Sequence, residues 1–298
     1  MGTTSELEAL EQWLRSRPKA LSTPERRMGY DATAEAYPLA QDVAAERIVL
    51  GGVPAEVTVT SAARGSNTVL YLHGGGYVYG SIQSHRHLAS ELGRAAGARA
   101  IALDYRRAPE NPYPAALDDA VAAWRSLLEQ GNQPRQLALA GDSAGAGLAV
   151  AFMVRLRELS LPQPACALLL SPWVDMLATG ASYKENAARD PVVSREIINF
   201  CARQYLGDPP KDNPLASPVR ADLRGIASLT IFVGSTETLL DDSVALARAA
   251  GLADVPVRLE IWPGMFQIWP THHQVLAEAK KALGLAGDII HAAFNAPG

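Results

Sequence analysis

Six short runs dominated by aliphatic side chains punctuate the chain: Thr68–Leu72, Ala98–Leu103, Gln136–Ala140, Ala167–Leu170, Leu229–Val233 and Val257–Ile261. Each is bounded by Gly, Pro, Ser or Asp, as expected of strands buried on both faces, where neither face meets water. Between two of them Leu117, Val121, Trp124, Leu127 and Leu128 recur at helical spacing, and the remaining gaps leave room for crossover helices. The alternation predicts an α/β fold: a mostly parallel sheet flanked by helices.

Two other stretches are patterned differently. Near the start, Leu7, Leu10, Trp13 and Leu14 predict an amphipathic helix with Glu6, Glu8, Glu11 and Arg15 toward water. Glu46–Leu50 and Glu56–Ser61 then predict an antiparallel pair of strands around a Gly51-Gly52-Val53-Pro54 turn. The gap from Ser171 to Leu229 is too long for one crossover. It holds a helical stretch near Ser194–Tyr205 and a polar, proline-rich segment, Gly207–Pro218, expected above the sheet. No repeat or flexible linker divides the chain, so residues 1–298 are expected to form one domain with an added cap.

Composition narrows the partners. A net charge of −4 and 19% charged residues lack the basic excess of a protein that binds nucleic acid or an anionic membrane surface, which leaves a small molecule. The two cysteines, Cys166 and Cys201, neither demand a disulfide framework nor show metal-site spacing. The N-terminus lacks a basic start followed by an apolar run, and no apolar stretch approaches the ~18 residues of a membrane span. A cytoplasmic location without a membrane partner is expected.

The chemistry concentrates where apolar runs meet glycine. Leu137–Ala140 leads into Gly141-Asp142-Ser143-Ala144-Gly145, and a helix follows from near Ala144. Glycines two before and two after the serine permit a sharp strand-to-helix turn, and the helix N-terminus favours negative charge on an attacked carbonyl oxygen. Ser143 is the candidate nucleophile. Upstream, Thr68–Leu72 ends in His73-Gly74-Gly75-Gly76-Tyr77, whose bare amides can approach a substrate. Acyl transfer builds an oxyanion, and each preorganised donor to it is worth about 3–4 kcal/mol when removed.

HGGGYVYGS, DYRRAPENPYPAALDD (Asp104–Asp119), GDSAG and SPWVD (Ser171–Asp175) follow one another in an order that resembles the bacterial hormone-sensitive-lipase-like esterases, from about His73 nearly to the C-terminus. The resemblance implies an α/β-hydrolase fold with an eight-stranded sheet and a helical cap formed by about residues 1–45 and about 175–215. It also implies an oxyanion hole made by the N–H groups of Gly75, Gly76 and Ala144, a structural His73, and no metal or organic cofactor. The family's D/E-x-L-x-D motif matches Glu237-Thr238-Leu239-Leu240-Asp241, so Glu237 falls at the acid that orients a histidine. Asp241 and Asp242 compete with it, but read as first-turn helix acids. Implied substrates are short- to medium-chain carboxylic esters or small lactones, and family members often form homodimers.

The pattern breaks after Val257–Ile261. There the family reads G-M-x-H-x-W/F, whereas this chain reads Gly264-Met265-Phe266-Gln267-Ile268-Trp269. A glutamine does not titrate near neutral pH and cannot take the proton of Ser143. By analogy with other triads, loss of the base costs on the order of 10⁶ in rate, while ~10³–10⁴ over water survives. His272 and His273 stand nearest, and Pro270, read as the first turn of a final helix, would turn them away from Ser143. His73, His85, His87 and His291 are expected to pack or cap.

Three readings fit. One is a serine esterase whose base was deliberately replaced. Another is a natural esterase of altered mechanism, in which Gln267 positions a water or the substrate supplies the base. The third is a non-catalytic protein that binds a small ligand in the old pocket, as the plant gibberellin receptors do, which also resemble this family. An intact serine, acid and glycine loop favour an esterase impaired at its base. Trp13, Tyr37, Tyr183, Ile197, Ile198 and Phe200 are candidates to line its acyl or alcohol pocket.

Overall fold

The computed structural model describes residues 2–17, 22–207 and 211–296. The remaining ends of the expected 1–298 domain, residues 18–21 of its N-terminal cap portion and residues 208–210 of the proline-rich segment lie outside the described residues. Along the chain come α1 (Gly2–Ser16), α2 (Thr23–Asp31), α3 (Thr33–Ala36), β1 (Ala44–Leu50), β2 (Val53–Val59), β3 (Thr68–Leu72), α4 (Ile82–Ala96), β4 (Arg99–Leu103) and α5 (Ala115–Glu129). Then follow β5 (Leu137–Asp142), α6 (Ala144–Glu158), β6 (Ala167–Leu170), α7 (Ser182–Glu185), α8 (Arg195–Leu206), β7 (Leu229–Gly234), α9 (Leu240–Leu252), β8 (Val257–Trp262) and α10 (Ala277–Phe294). The strands form one eight-stranded sheet in the order β1-β2-β4-β3-β5-β6-β7-β8, parallel from β4 to β8 and antiparallel at β1 and β2.

The aliphatic runs are those parallel strands, and their burial explains their composition. Every residue of β3, β5, β6 and β7 is buried, while the edge strands β1 and β8 are largely open. Alternate side chains serve two cores. Leu70, Leu72 and Leu139 pack with Trp124 and Phe152 of α5 and α6, whereas Val69, Ala138 and Leu168 pack with Leu88 of α4 and Leu283 of α10.

Two local expectations need correction. The turn between β1 and β2 is two residues long, Gly51 and Gly52 at φ 57° and 85°; Val53 and Pro54 already pair with Leu50 and Val49. A two-residue turn of this kind requires positive φ and matches the strands' twist, so the ladder closes sooner than the glycine-proline cluster implied. Pro270 does not begin the final helix. It lies in a short 3₁₀ turn, Trp269–His272, and α10 starts at Ala277.

The topology positions the chemistry. β3 lies between β4 and β5, so the chain winds outward in opposite directions from it, and the loops leaving the carboxyl ends of β3 and β5 separate to leave a crevice. Among the described residues no helix is long and apolar enough to cross a membrane.

Candidate active site

Ser143 follows β5 and precedes α6, with φ 51° and ψ −118°, a backbone conformation unfavourable for a residue with a Cβ. Its neighbours make the strained turn feasible. A Cβ on Gly141 would lie 2.6 Å from the Gly145 carbonyl oxygen, and one on Gly145 would lie 2.0 Å from the Leu72 oxygen. The turn is then fastened to the sheet, since Ser143 N donates to Leu170 O at 2.8 Å and Ser143 O accepts from Trp173 N at 3.0 Å. The serine is left at the N-terminus of α6.

The glycine loop after β3 runs beside this elbow. Gly75 (φ 110°) accepts from Tyr79 N at 2.7 Å, and Gly76 has φ 64°. Among the described residues, the N–H groups of Gly75, Gly76 and Ala144 have no hydrogen-bond acceptor.

Asp142, which sequence reasoning passed over, braces this loop. Its Oδ1 accepts from Gly74 N at 2.9 Å and from the Tyr71 hydroxyl at 2.7 Å, and its Oδ2 lies 3.4 Å from His85 Nε2. Burial works to raise this carboxyl, but His85, Tyr71 and Gly74 outweigh it and hold Asp142 below the usual carboxylate range. A tyrosine inside an otherwise aliphatic run was the available signal. His73 stacks on Tyr105 with ring centroids 4.2 Å apart and contacts Gly74 O through Nδ1 at 2.8 Å; burial lowers it to about 3.

Glu237 sits in the turn after β7, fully buried. Its Oε1 accepts from Gly234 N at 2.6 Å and from Ser171 Oγ at 2.7 Å, while Oε2 has no partner among the described residues. Burial, together with the nearby charge of Asp190, raises this carboxyl well above its ordinary range, although Gly234 and Ser171 pull the other way. The two competing acids are committed elsewhere. Asp241 accepts from Ser182 N at 2.9 Å; Asp242, pushed up to about 7 by burial, accepts from Val174 N at 2.9 Å and Asp175 N at 3.0 Å.

Gln267 is buried in the loop after β8. Met265 O accepts from Thr236 Oγ1 at 2.8 Å, and Ile268 N donates to Ser171 Oγ at 3.0 Å, which ties this loop to the acid-bearing turn. Among the described residues, no hydrogen bond links the Gln267 amide to Glu237, and no histidine reaches Ser143 Oγ. His272 Nδ1 pairs with the Tyr37 hydroxyl at 2.6 Å, His273 stacks on His87 at 5.6 Å, and His291 contacts Ala96 O at 3.3 Å. His272 and His273 thus have other partners, although the helix start invoked for them is absent.

The six pocket candidates separate. Trp13 is 42% exposed beneath Arg17, Tyr37 is engaged with His272, and Tyr183 is buried. Ile198 packs into the core that α8 shares with the sheet, with Ile197 and Phe200 half-buried against it. Phe200 stacks over Tyr79 at 6.5 Å, and a Cβ on Gly76 would come within 2.5 Å of Cys201 Sγ, so α8 lies against the glycine loop.

Residues 69–270 match a family described by the alpha/beta hydrolase fold. An acetyl-hydrolase of Streptomyces hygroscopicus is 47% identical over 90% of this chain and 89% of its own length. A crystallised esterase of the bacterial hormone-sensitive lipase family is 43% identical, with a TM-score of 0.95 over 99% of this chain and 100% of that one. EstE5, whose crystal was soaked with p-nitrophenyl butyrate, is 40% identical, with a TM-score of 0.94 over 98% of this chain and 99% of that one.

Proposed function

Since the chain belongs to the bacterial hormone-sensitive-lipase family of α/β-hydrolases, we propose that it is a serine carboxylesterase for short- to medium-chain esters, acting through an acyl-enzyme at Ser143 and impaired because Gln267 stands at the general base. The observation that carries this reading is the unpartnered Oε2 of Glu237, the one free lone-pair face of a wholly buried acid beside the loop that bears residue 267. A carboxylate built to hold an imidazole leaves such a face open. The soaking of EstE5 with p-nitrophenyl butyrate supports the substrate class.

In the reaction Ser143 Oγ attacks the ester carbonyl. The N–H groups of Gly75, Gly76 and Ala144 receive the developing oxyanion, and the N-terminus of α6 adds its positive end. Collapse of the tetrahedral intermediate breaks the ester C–O bond and the alcohol leaves with the proton given up by Ser143; water then attacks the acyl-enzyme, releasing the acid and restoring the Ser143 hydroxyl. Both steps require a group that accepts a proton from oxygen and returns it. Gln267 does neither, so the site stabilises charge but does not relay protons. The described helices within about residues 1–45 and 175–215, α1–α3, α7 and α8, form the cap, and α8 supplies Phe200 to the wall nearest the glycine loop.

Hydrolysis of p-nitrophenyl acetate and butyrate tests this. Gln267→His is expected to raise kcat/KM by several orders of magnitude, and Ser143→Ala to abolish the gain. A small-ligand-binding protein is the second reading, favoured by the lack of any histidine at Ser143; tight ligand binding with no gain in the histidine variant would establish it.

A further inference from the structure

Ser171 is the first residue after β6, fully buried, with φ 48°. Its amide donates to Phe232 O of β7 at 2.7 Å, which fixes the residue to the neighbouring strand. Its hydroxyl donates to Glu237 Oε1 at 2.7 Å and accepts from Ile268 N at 3.0 Å. One oxygen therefore joins the acid to the residue immediately after position 267.

Both ends of this bridge need holding. Ile268 is a β-branched residue at φ 51°, where such side chains are rarely found, and a local partner is required to keep it there. Glu237 Oε1 is occupied by Gly234 N and Ser171 Oγ together, so only Oε2 remains for residue 267. The Thr236–Met265 contact ties the same two turns but reaches neither the carboxylate nor the backbone beside residue 267. We propose that Ser171 is a positioning residue, which aims the free carboxylate oxygen of Glu237 at position 267 and sets the loop bearing that position. This rests on the serine-esterase reading of the site.

The test compares Ser171→Ala and Ser171→Gly in two backgrounds, the unaltered chain and Gln267→His, with p-nitrophenyl butyrate as substrate and urea midpoints to follow folding. Glycine tolerates the positive φ, so it separates loss of the hydroxyl from backbone strain. In the Gln267→His background both substitutions are expected to lower kcat about 10- to 100-fold, the cost typical of a lost orienting partner, with KM within about twofold. The loss in that background is expected to exceed the loss in the unaltered chain by at least about tenfold, because only there does a base depend on being aimed. Equal losses in both backgrounds would assign Ser171 a purely structural role, and no loss in Gln267→His would remove its role altogether. A Gln267→His variant that gains nothing over the unaltered chain would instead overturn the esterase reading and, with it, the premise of this proposal.

Discussion

The two halves of the crevice differ in what they lack. On the β3–β5 side the elbow glycines have no room for a Cβ, three amides are free of acceptors, and Asp142 holds the glycine loop from beneath. On the β6–β8 side the scaffold is equally specified, with Ser171, Gly234 and Thr236 fastening the turns, yet the position that would move protons carries Gln267. In the proposed reaction the first half would bind developing charge and needs only geometry. The second needs a group that titrates, so one substitution can silence it without disturbing the scaffold.

This contrast predicts different responses to substitution on the two sides. Glu237→Gln in the Gln267→His background is expected to cost about 10⁴ in kcat, as loss of an orienting acid does elsewhere, but less than about tenfold in the unaltered chain. Steady-state rates in both backgrounds check this, and a large loss without the histidine would mean that Glu237 acts directly. Gly75→Ala should behave otherwise. A Cβ there would lie 2.5 Å from the Tyr79 carbonyl carbon and displace an oxyanion donor, so a loss of about 10²–10³ is expected in both backgrounds. A loss confined to the histidine variant would join the two halves into one unit.

The smallest effect concerns stability. His87, lowered to about 3, and His272 and His273, each lowered to about 4, are held neutral by burial beside the base loop. An unfolded chain binds their protons near 6.5, so the stability they contribute is complete above that pH and is lost as pH falls toward their folded values. Each histidine can remove up to about 1.4 kcal/mol per pH unit in that window. The urea midpoint should therefore shift further downward between pH 7 and pH 5 in the unaltered chain than in a variant carrying His87→Gln, His272→Gln and His273→Gln, because the raised acids Glu237 and Asp242 act in the opposite sense in both; an equal shift would show that the neutral rings contribute nothing.

What the sequence made legible follows from how local each signal is. The parallel strands announced themselves because burial on both faces writes an aliphatic run, and Ser143 because its turn needs glycines at fixed offsets. Glu237 is set apart from Asp241 and Asp242 by the D/E-x-L-x-D match and by its distance from the helix start, and its role as the acid belongs to the proposal. Ser171 could not be singled out, because its role arises only where the ends of β6, β7 and β8 converge. Asp142 was hidden for the same reason, its partners Tyr71 and His85 being distant along the chain. Pro270 misled because the φ that proline fixes also fits the first turn of a 3₁₀ segment, and that is where it stands.

The most direct test of an intact charge-binding half and an interrupted proton relay is the pH dependence of kcat/KM for p-nitrophenyl butyrate, measured for the unaltered chain and Gln267→His. Gln267→His should gain a limb that rises with pH through the histidine range to a plateau, absent from the slow background rate of the unaltered chain. The same limb in both proteins would contradict the account, because a group other than residue 267 would already be taking the proton from Ser143.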